Sequence, residues 1–234
     1  MNIKYITHKA LRQALSALLP IAGTAVAALT FSSCNDFLSL EPLNEIVDTK
    51  FWKEEADITS SLTACYALME KKDCLQRMMV WGELRSDNVE AGSGTPNAVQ
   101  QILKENILET NDFTKWDPLY KVINQCNTVI HYAPIVAGID PNFTNSEMKA
   151  TIAEATTLRT ICYFYLIKTF RDVPYVTAPS LEDDQEYVVP ADKFDAVLDS
   201  LIRDVENVKN DAVRSYGEYS DENMTRITRW ACYA

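Results

Sequence analysis

The sequence predicts an all-α fold built from helix pairs joined by long loops. Three observations carry that expectation. Apolar residues recur at steps of three and four in several separate segments, the spacing that lines one face of a helix. A capping-box pattern, Thr144-x-x-Glu147, opens one of these segments. Proline and glycine clusters punctuate the intervals between them.

The first predicted helix spans Glu54 to Lys72, with Ile58, Leu62, Cys65, Tyr66 and Met69 on its apolar face. A loop follows over Asp87 to Asn97, where Gly92, Ser93, Gly94, Thr95 and Pro96 break any regular element. The second helix spans Trp116 to Tyr132, with Pro118 in its first turn, where the missing N–H costs nothing. Leu119, Tyr120, Ile123, Cys126 and Ile130 form its inner face, and Pro134 and Gly138 are expected to end it.

The third helix starts at the capping box and runs to about Thr169. Its last stretch, Ile161 to Ile167, is apolar all round, so it reads as fully buried helix rather than as the short strand its β-branched and aromatic residues also allow. Pro174 and Pro179 hold an extended segment. A fourth helix runs from Ala191 to Lys209 and carries the cleanest stripe of the chain: Phe194, Val197, Leu198, Leu201, Ile202, Val205 and Val208. A fifth begins near Thr225, shortly before the sequence stops at Ala234, which reads as a fragment of a longer helical array.

The start of the chain reads as an address. Lys4, Lys9 and Arg12 precede an apolar stretch from Ala14 to Phe31, and Ser32, Ser33 and Cys34 follow. A positive start, an apolar centre and small residues before a cut site describe a secretory signal, residues 1–33. A cysteine directly after the small pair makes Cys34 the predicted lipidation site, and residues 34–50 a lipidated tether ahead of a helical domain over 51–234. The competing reading, an uncleaved anchor helix, is disfavoured by Pro20, Gly23 and the small-residue end.

Charge excludes some partners. The chain carries a net charge of −11, and removing the three basic and no acidic residues of positions 1–33 gives −11 − 3 = −14. Such a surface is wrong for nucleic acid, and membrane attachment falls to acyl chains rather than to anionic headgroups.

The chemistry of common enzymes is not legible. Of the two histidines, His8 lies in the signal and His131 reads as a residue near a helix C-terminus. The segment Gly92-Ser93-Gly94-Thr95 lacks the lysine and glycine spacing of a phosphate loop. The acidic run Glu182, Asp183, Asp184 and Glu186 lacks the alternating ligands of a calcium loop. No CxxC or metal-ligand spacing occurs. Cys65 and Cys74 could pair across a loop, but packed thiols fit their helical positions better. No cofactor is implied.

Several motifs together resemble the SusD/RagB family of Bacteroidetes surface lipoproteins. Cys34-Asn-Asp-Phe-Leu with Pro42 is similar to that family's mature N-terminus, and Phe51-Trp52 and Glu83-Leu84-Arg85-Ser86-Asp87 match further family positions. Trp116, Tyr120, Ile123, Asn127 and Ile130 fit its W-x3-Y-x2-I-x3-N-x2-I helix. The most specific match runs through Glu154-Ala155, Leu158-Arg159, Tyr163-Phe164 and Leu166 to Phe170-Arg171-Asp172-Val173-Pro174, with Arg171 where glycine is usual. Arg226-Ile227-Thr228 resembles the start of the next family helix.

The resemblance implies a tetratricopeptide-like scaffold. It implies a non-catalytic outer-membrane lipoprotein, facing the cell surface, that binds an oligosaccharide and acts with a TonB-dependent, SusC-like transporter. Asp87, Asn88 and Asn97 are the expected ligand-binding residues, since their side chains can hydrogen-bond sugar hydroxyls. A structural or adhesion lipoprotein that binds protein through a helical-repeat face is the alternative.

Overall fold

The structure, a computed structural model, describes residues 51–86, 88–181, 188–213 and 227–233. All lie in one compact unit, Asp48–Ala234. The signal segment, Cys34 and the tether fall outside the described residues. So do Asp87, the acidic run beginning at Glu182, and Thr225, the expected start of the last helix.

Helix α1 (Glu55–Met69) buries Ile58, Leu62 and Cys65, the stripe its spacing predicts. Asp57 Oδ2 accepts from the backbone N–H groups of Lys53 and Glu54 at 3.0 Å each, which fixes the helix entry. Helix α2 (Lys72–Met79) then runs into a π-helical turn, Val80–Leu84. The sequence reading had no element here. Arg77 of α2 donates from Nη1 to Asp73 O one turn back at 2.7 Å, and ties the helix to a distant part of the chain from Nη2 to Asp112 O at 2.6 Å and from Nε to Lys115 O at 3.1 Å. Helix α3 (Asn97–Leu103) is also beyond the sequence reading, which ended its loop at Asn97; that residue instead opens the helix.

Helix α4 (Asp117–Ala137) is longer than the sequence suggests, because Pro134 lies inside it. Proline deletes one backbone hydrogen bond, but Pro134 is exposed while Ala133 and Val136 beside it are fully buried, so packing carries the helix through. This displaces His131: it is exposed and lies well before the helix end, so it has no role at the helix C-terminus. Its ring meets Tyr132 edge-on at 4.8 Å.

Helix α5 (Asn145–Phe170) opens with the predicted capping box. Thr144 Oγ1 accepts from Glu147 N at 3.3 Å, and Glu147 Oε2 accepts from Thr144 N at 2.9 Å. Ala153 and Ala155 are fully buried, and such small residues let a neighbouring helix approach closely. The run Ile161–Ile167 is helical, but it is not buried all round, since Phe164 is 50% exposed. Cys162, Tyr163, Leu166 and Ile167 face the core, and Phe164 falls on the outer side.

Helix α6 (Phe194–Val208) buries Val197 and Leu201. The expected stripe is narrower than predicted, because Ile202 is 55% exposed. The last described helix is α7 (Arg229–Tyr233). Ile227 ties it down: its N–H lies 3.3 Å from both Glu154 Oε1 and the Tyr66 hydroxyl, which itself donates to Glu154.

Packing order follows from the buried faces. Helix α1 lies on α4, α4 on α5, and α5 on α6. The result is an all-α row of antiparallel helix pairs with a shared core through Ile58, Ile123, Leu158 and Leu166. Each such side chain contributes roughly 1.5–3 kcal/mol by leaving water. Among the described residues the only strand-like pairings are isolated bridges, Val173 with Asp192 and Val213 with Thr228. No described helix is long and apolar enough to cross a membrane.

Candidate ligand-binding surface

The loop over residues 88–96 joins the π-helical turn to α3. Asn88 and Asn97 both present exposed side chains, and Asn88 N donates to Ser86 Oγ at 3.4 Å. The turn is closed by Thr95 N to Gly92 O at 3.1 Å, and Gln100 Nε2 braces it on Thr95 O at 2.8 Å. Asp87 lies outside the described residues. The nearest ring in sequence, Trp81, is committed elsewhere: its indole N–H donates to Phe113 O at 2.9 Å and its face meets Phe170 edge-on at 6.0 Å.

A concavity missed by the sequence reading lies between α4 and the extended segment after α5. Its volume is about 540 Å³, within the range of small-molecule sites. Trp116, Tyr120, Ile123, Asn124 and Asn127 form the helix wall, and residues 174–180 with Val189 form the other. Trp116, Tyr120, Asn124 and Asn127 fall at i, i+4, i+8 and i+11, so one face of α4 is the signal that could have found it. The opposing wall is set by tertiary structure and leaves no such trace.

Most polar groups of this cavity are spent on the fold. Tyr120 OH donates to Pro174 O at 2.7 Å, and Asn124 Oδ1 accepts from Ser180 N at 2.8 Å. Asn127 Nδ2 donates to Val176 O at 3.0 Å and Ala178 O at 3.3 Å, while its Oδ1 accepts from Arg159 at 2.8 Å. Arg159 also donates to Asp204 Oδ2 at 2.8 Å, and Tyr175 OH donates to the same oxygen at 2.6 Å. Tyr163 OH donates to Val176 O at 3.0 Å and accepts from Val176 N at 2.7 Å. The extended segment is thus pinned to three helices through side chains rather than a sheet.

The phenols of this network stay neutral donors. Burial pushes the Tyr163 hydroxyl up to about 12. Burial also raises Tyr120, helped by the neighbouring Tyr163. Tyr175 is raised by burial and by its hydrogen bond to Asp204. Apolar walls with few unspent donors suit an apolar face more than a ring of hydroxyls, whereas the outer loop offers exposed amides without a ring. Among the described residues no group of three or more His, Cys, Asp or Glu is arranged to hold a metal.

Comparison with known proteins places this architecture. A family model described as "SusD-like_3: Starch-binding associating with outer membrane" matches residues 36–234. SusD-like protein P38 of Formosa agariphila is 26% identical over 198 residues, covering 84% of this chain and 38% of its own length. A SusD superfamily protein from Bacteroides thetaiotaomicron superposes with a TM-score of 0.65 at 20% identity, over 78% of this chain and 42% of that one. Surface glycan-binding protein A from Bacteroides uniformis gives a TM-score of 0.64 at 23% identity, over 76% of this chain and 40% of its own. The matched part of this chain spans 38% to 42% of the length of these relatives. The family match over nearly all of the sequence after Asn35, together with the shared helix-pair fold, shows that the chain belongs to the SusD-like family.

Proposed function

We propose that this chain is the helical scaffold of a lipid-anchored, outer-membrane protein that binds a glycan at the cell surface and hands it to a TonB-dependent, SusC-like transporter, without catalysis. The observation that carries this reading is the family match over residues 36–234, whose description is starch binding in association with the outer membrane. The similar fold of a surface glycan-binding protein agrees with it. The address at the start of the sequence, with Cys34 as acyl acceptor, supplies the anchor, and the acidic composition argues against nucleic acid as a partner.

Within this chain the ligand-facing residues are Asp87 and Asn88 in the outer loop and Asn97 at the start of α3. A sugar site gains little from polar contacts alone, since they exchange with water at small net gain. The loop has no stacking ring of its own, so these residues contribute orientation and the chain alone binds weakly. Two measurements test the reading. Outer membranes solubilised with detergent should yield the protein together with a large β-barrel transporter. Incubation with oligosaccharides, including starch fragments, should show binding without hydrolysis. Recovery free of any β-barrel, with protein partners instead, would favour the adhesion alternative; release of shorter sugars would make the protein a hydrolase.

A further inference from the structure

The outer loop reaches the rest of the protein through its two stems. Among the described residues, the hydrogen bonds of 88–96 all stay between Ser86 and Gln100. Every residue of 88–96 except Thr95 is exposed, so the loop's own packing does not fix the separation of Asn88 and Asn97.

Both stems rest on one short segment beyond α3. On the leading side, the indole N–H of Trp81, in the π-helical turn, donates to Phe113 O at 2.9 Å. On the trailing side, Asn111 Nδ2 donates to Ala98 O at 2.9 Å and to Gln101 Oε1 at 3.2 Å, both on α3. Asn111 Oδ1 accepts from Phe113 N at 3.0 Å and so joins the two anchors within a single helical turn, Asp112–Thr114. Asn111 is 4% exposed, so water does not compete for its amide. Arg77 holds the same turn from α2, through Asp112 O and Lys115 O, with its guanidinium 5.9 Å from the centre of the Phe113 ring.

We propose that Asn111 and Trp81 are positioning residues for ligand binding: through residues 111–113 they set the separation of Asn88 and Asn97 without touching the ligand themselves. The inference rests on the reading above that the loop faces the ligand. An exposed loop that must be ordered at the moment of binding loses affinity to that ordering. Fixing its stems beforehand, through side chains whose own hydrogen bonds and packing are locked, removes part of the loss. Trp81 therefore serves the loop from its base and not as a stacking ring.

The test compares the isotopically labelled full chain with Trp81→Phe, Asn111→Ala and Gln125→Ala. Trp81→Phe deletes the indole N–H and keeps a ring beside Phe170. Gln125→Ala deletes a hydrogen bond of similar kind between α4 and Ser61 of α1, away from the loop. Three quantities are read: backbone order parameters of residues 88–97, the thermal midpoint, and the affinity for maltoheptaose from shifts of the Asn88 and Asn97 side-chain amides. Trp81→Phe and Asn111→Ala should bring the loop into the flexible range, below about 0.6 in order parameter. Both should weaken maltoheptaose binding by roughly three- to tenfold, the cost of ordering one or two further side chains on binding. Gln125→Ala should lower the thermal midpoint and move neither of the other two. Where Asn111→Ala does not fold, Trp81→Phe decides. Unchanged loop order or unchanged affinity in Trp81→Phe, or an equal loss of affinity in Gln125→Ala, would overturn the positioning role alone. Maltoheptaose leaving Asn88 and Asn97 unshifted in the unsubstituted chain would remove the loop as the ligand site, and the positioning role with it.

Discussion

Arg159 on α5 and Asp204 on α6 form an ion pair at 2.8 Å in which the two partners differ in burial: the arginine side chain is 7% exposed and the aspartate 21%. The pair also holds the extended segment in place, through Asn127 on one side and Tyr175 on the other. Leaving a buried charge unpaired is expensive, and more so when water cannot reach it. Asp204→Ala should therefore cost about 3–5 kcal/mol, because it strands the guanidinium. Arg159→Met should cost less, since Asp204 keeps the Tyr175 hydroxyl and some water. Urea unfolding of both variants measures this. Equal losses, or the reverse order, would show that the pair is not buried as described.

Arg171 ends α5 with φ 67° and ψ −87°, a left-handed conformation that favours glycine. Its guanidinium lies 5.2 Å from the centre of the Phe194 ring, a compensating contact. Arg171→Ala loses that contact, worth about 0.5–1 kcal/mol at exposed sites, and keeps the strain. Arg171→Gly loses the contact and relieves the strain, which costs on the order of 1–3 kcal/mol. The glycine variant should be the more stable of the two by about 1 kcal/mol, opposite to the ordinary preference for alanine in helices. Thermal denaturation of the two variants side by side checks the sign.

Leu201 and Ile202 are adjacent on α6 but differ in burial, at 2% and 55% exposed. Leu201→Ala should cost about 2–5 kcal/mol, as cavity formation does in packed cores. Ile202→Ala should stay within about 0.5 kcal/mol, like other surface substitutions. A large loss at Ile202 would mean that another part of the protein covers that face.

Asp172 caps α6, with Oδ1 accepting from Phe194 N at 3.1 Å and Oδ2 from Lys193 Nζ at 2.6 Å. The Lys193 hydrogen bond, followed by the Phe194 backbone bond, pulls its carboxyl below the ordinary 3.8. A lowered folded-state value adds stability above the unfolded pKa and loses it as pH falls through the folded one. The stability gap between the native chain and Asp172→Asn should be full at neutral pH and shrink steadily in acid below about pH 4. A gap independent of pH would remove the carboxylate from this role.

Cys34 is the proposed lipid attachment point. Cys34→Ser should abolish labelling by a radioactive or clickable fatty acid and leave uncleaved or mislocalised protein. Normal acyl labelling of that variant would end the lipoprotein assignment.

The sequence by itself determined the helices whose signals are local. The stripe Ile58–Leu62–Cys65 and the Thr144–Glu147 capping box each specify an element through bonds and spacings within one turn or two. Family membership was legible partly for the same reason, since two of its motifs, Trp116–Ile130 and Glu154–Leu166, run along α4 and α5. Local signals misled where packing outweighed them. Pro134 reads as a stop, yet buried Ala133 and Val136 carry α4 past it. Ile161–Ile167 reads as buried on every side, yet Phe164 faces out because α5 has core neighbours on one side there. Helix α2 depends on Arg77 reaching carbonyls at Asp112 and Lys115, far along the chain. The concavity behind Trp116 depends on Asn127, Arg159 and Asp204, which three different helices bring together. No spacing in a linear sequence encodes such a meeting, because it is decided by which helix faces find each other when the core closes.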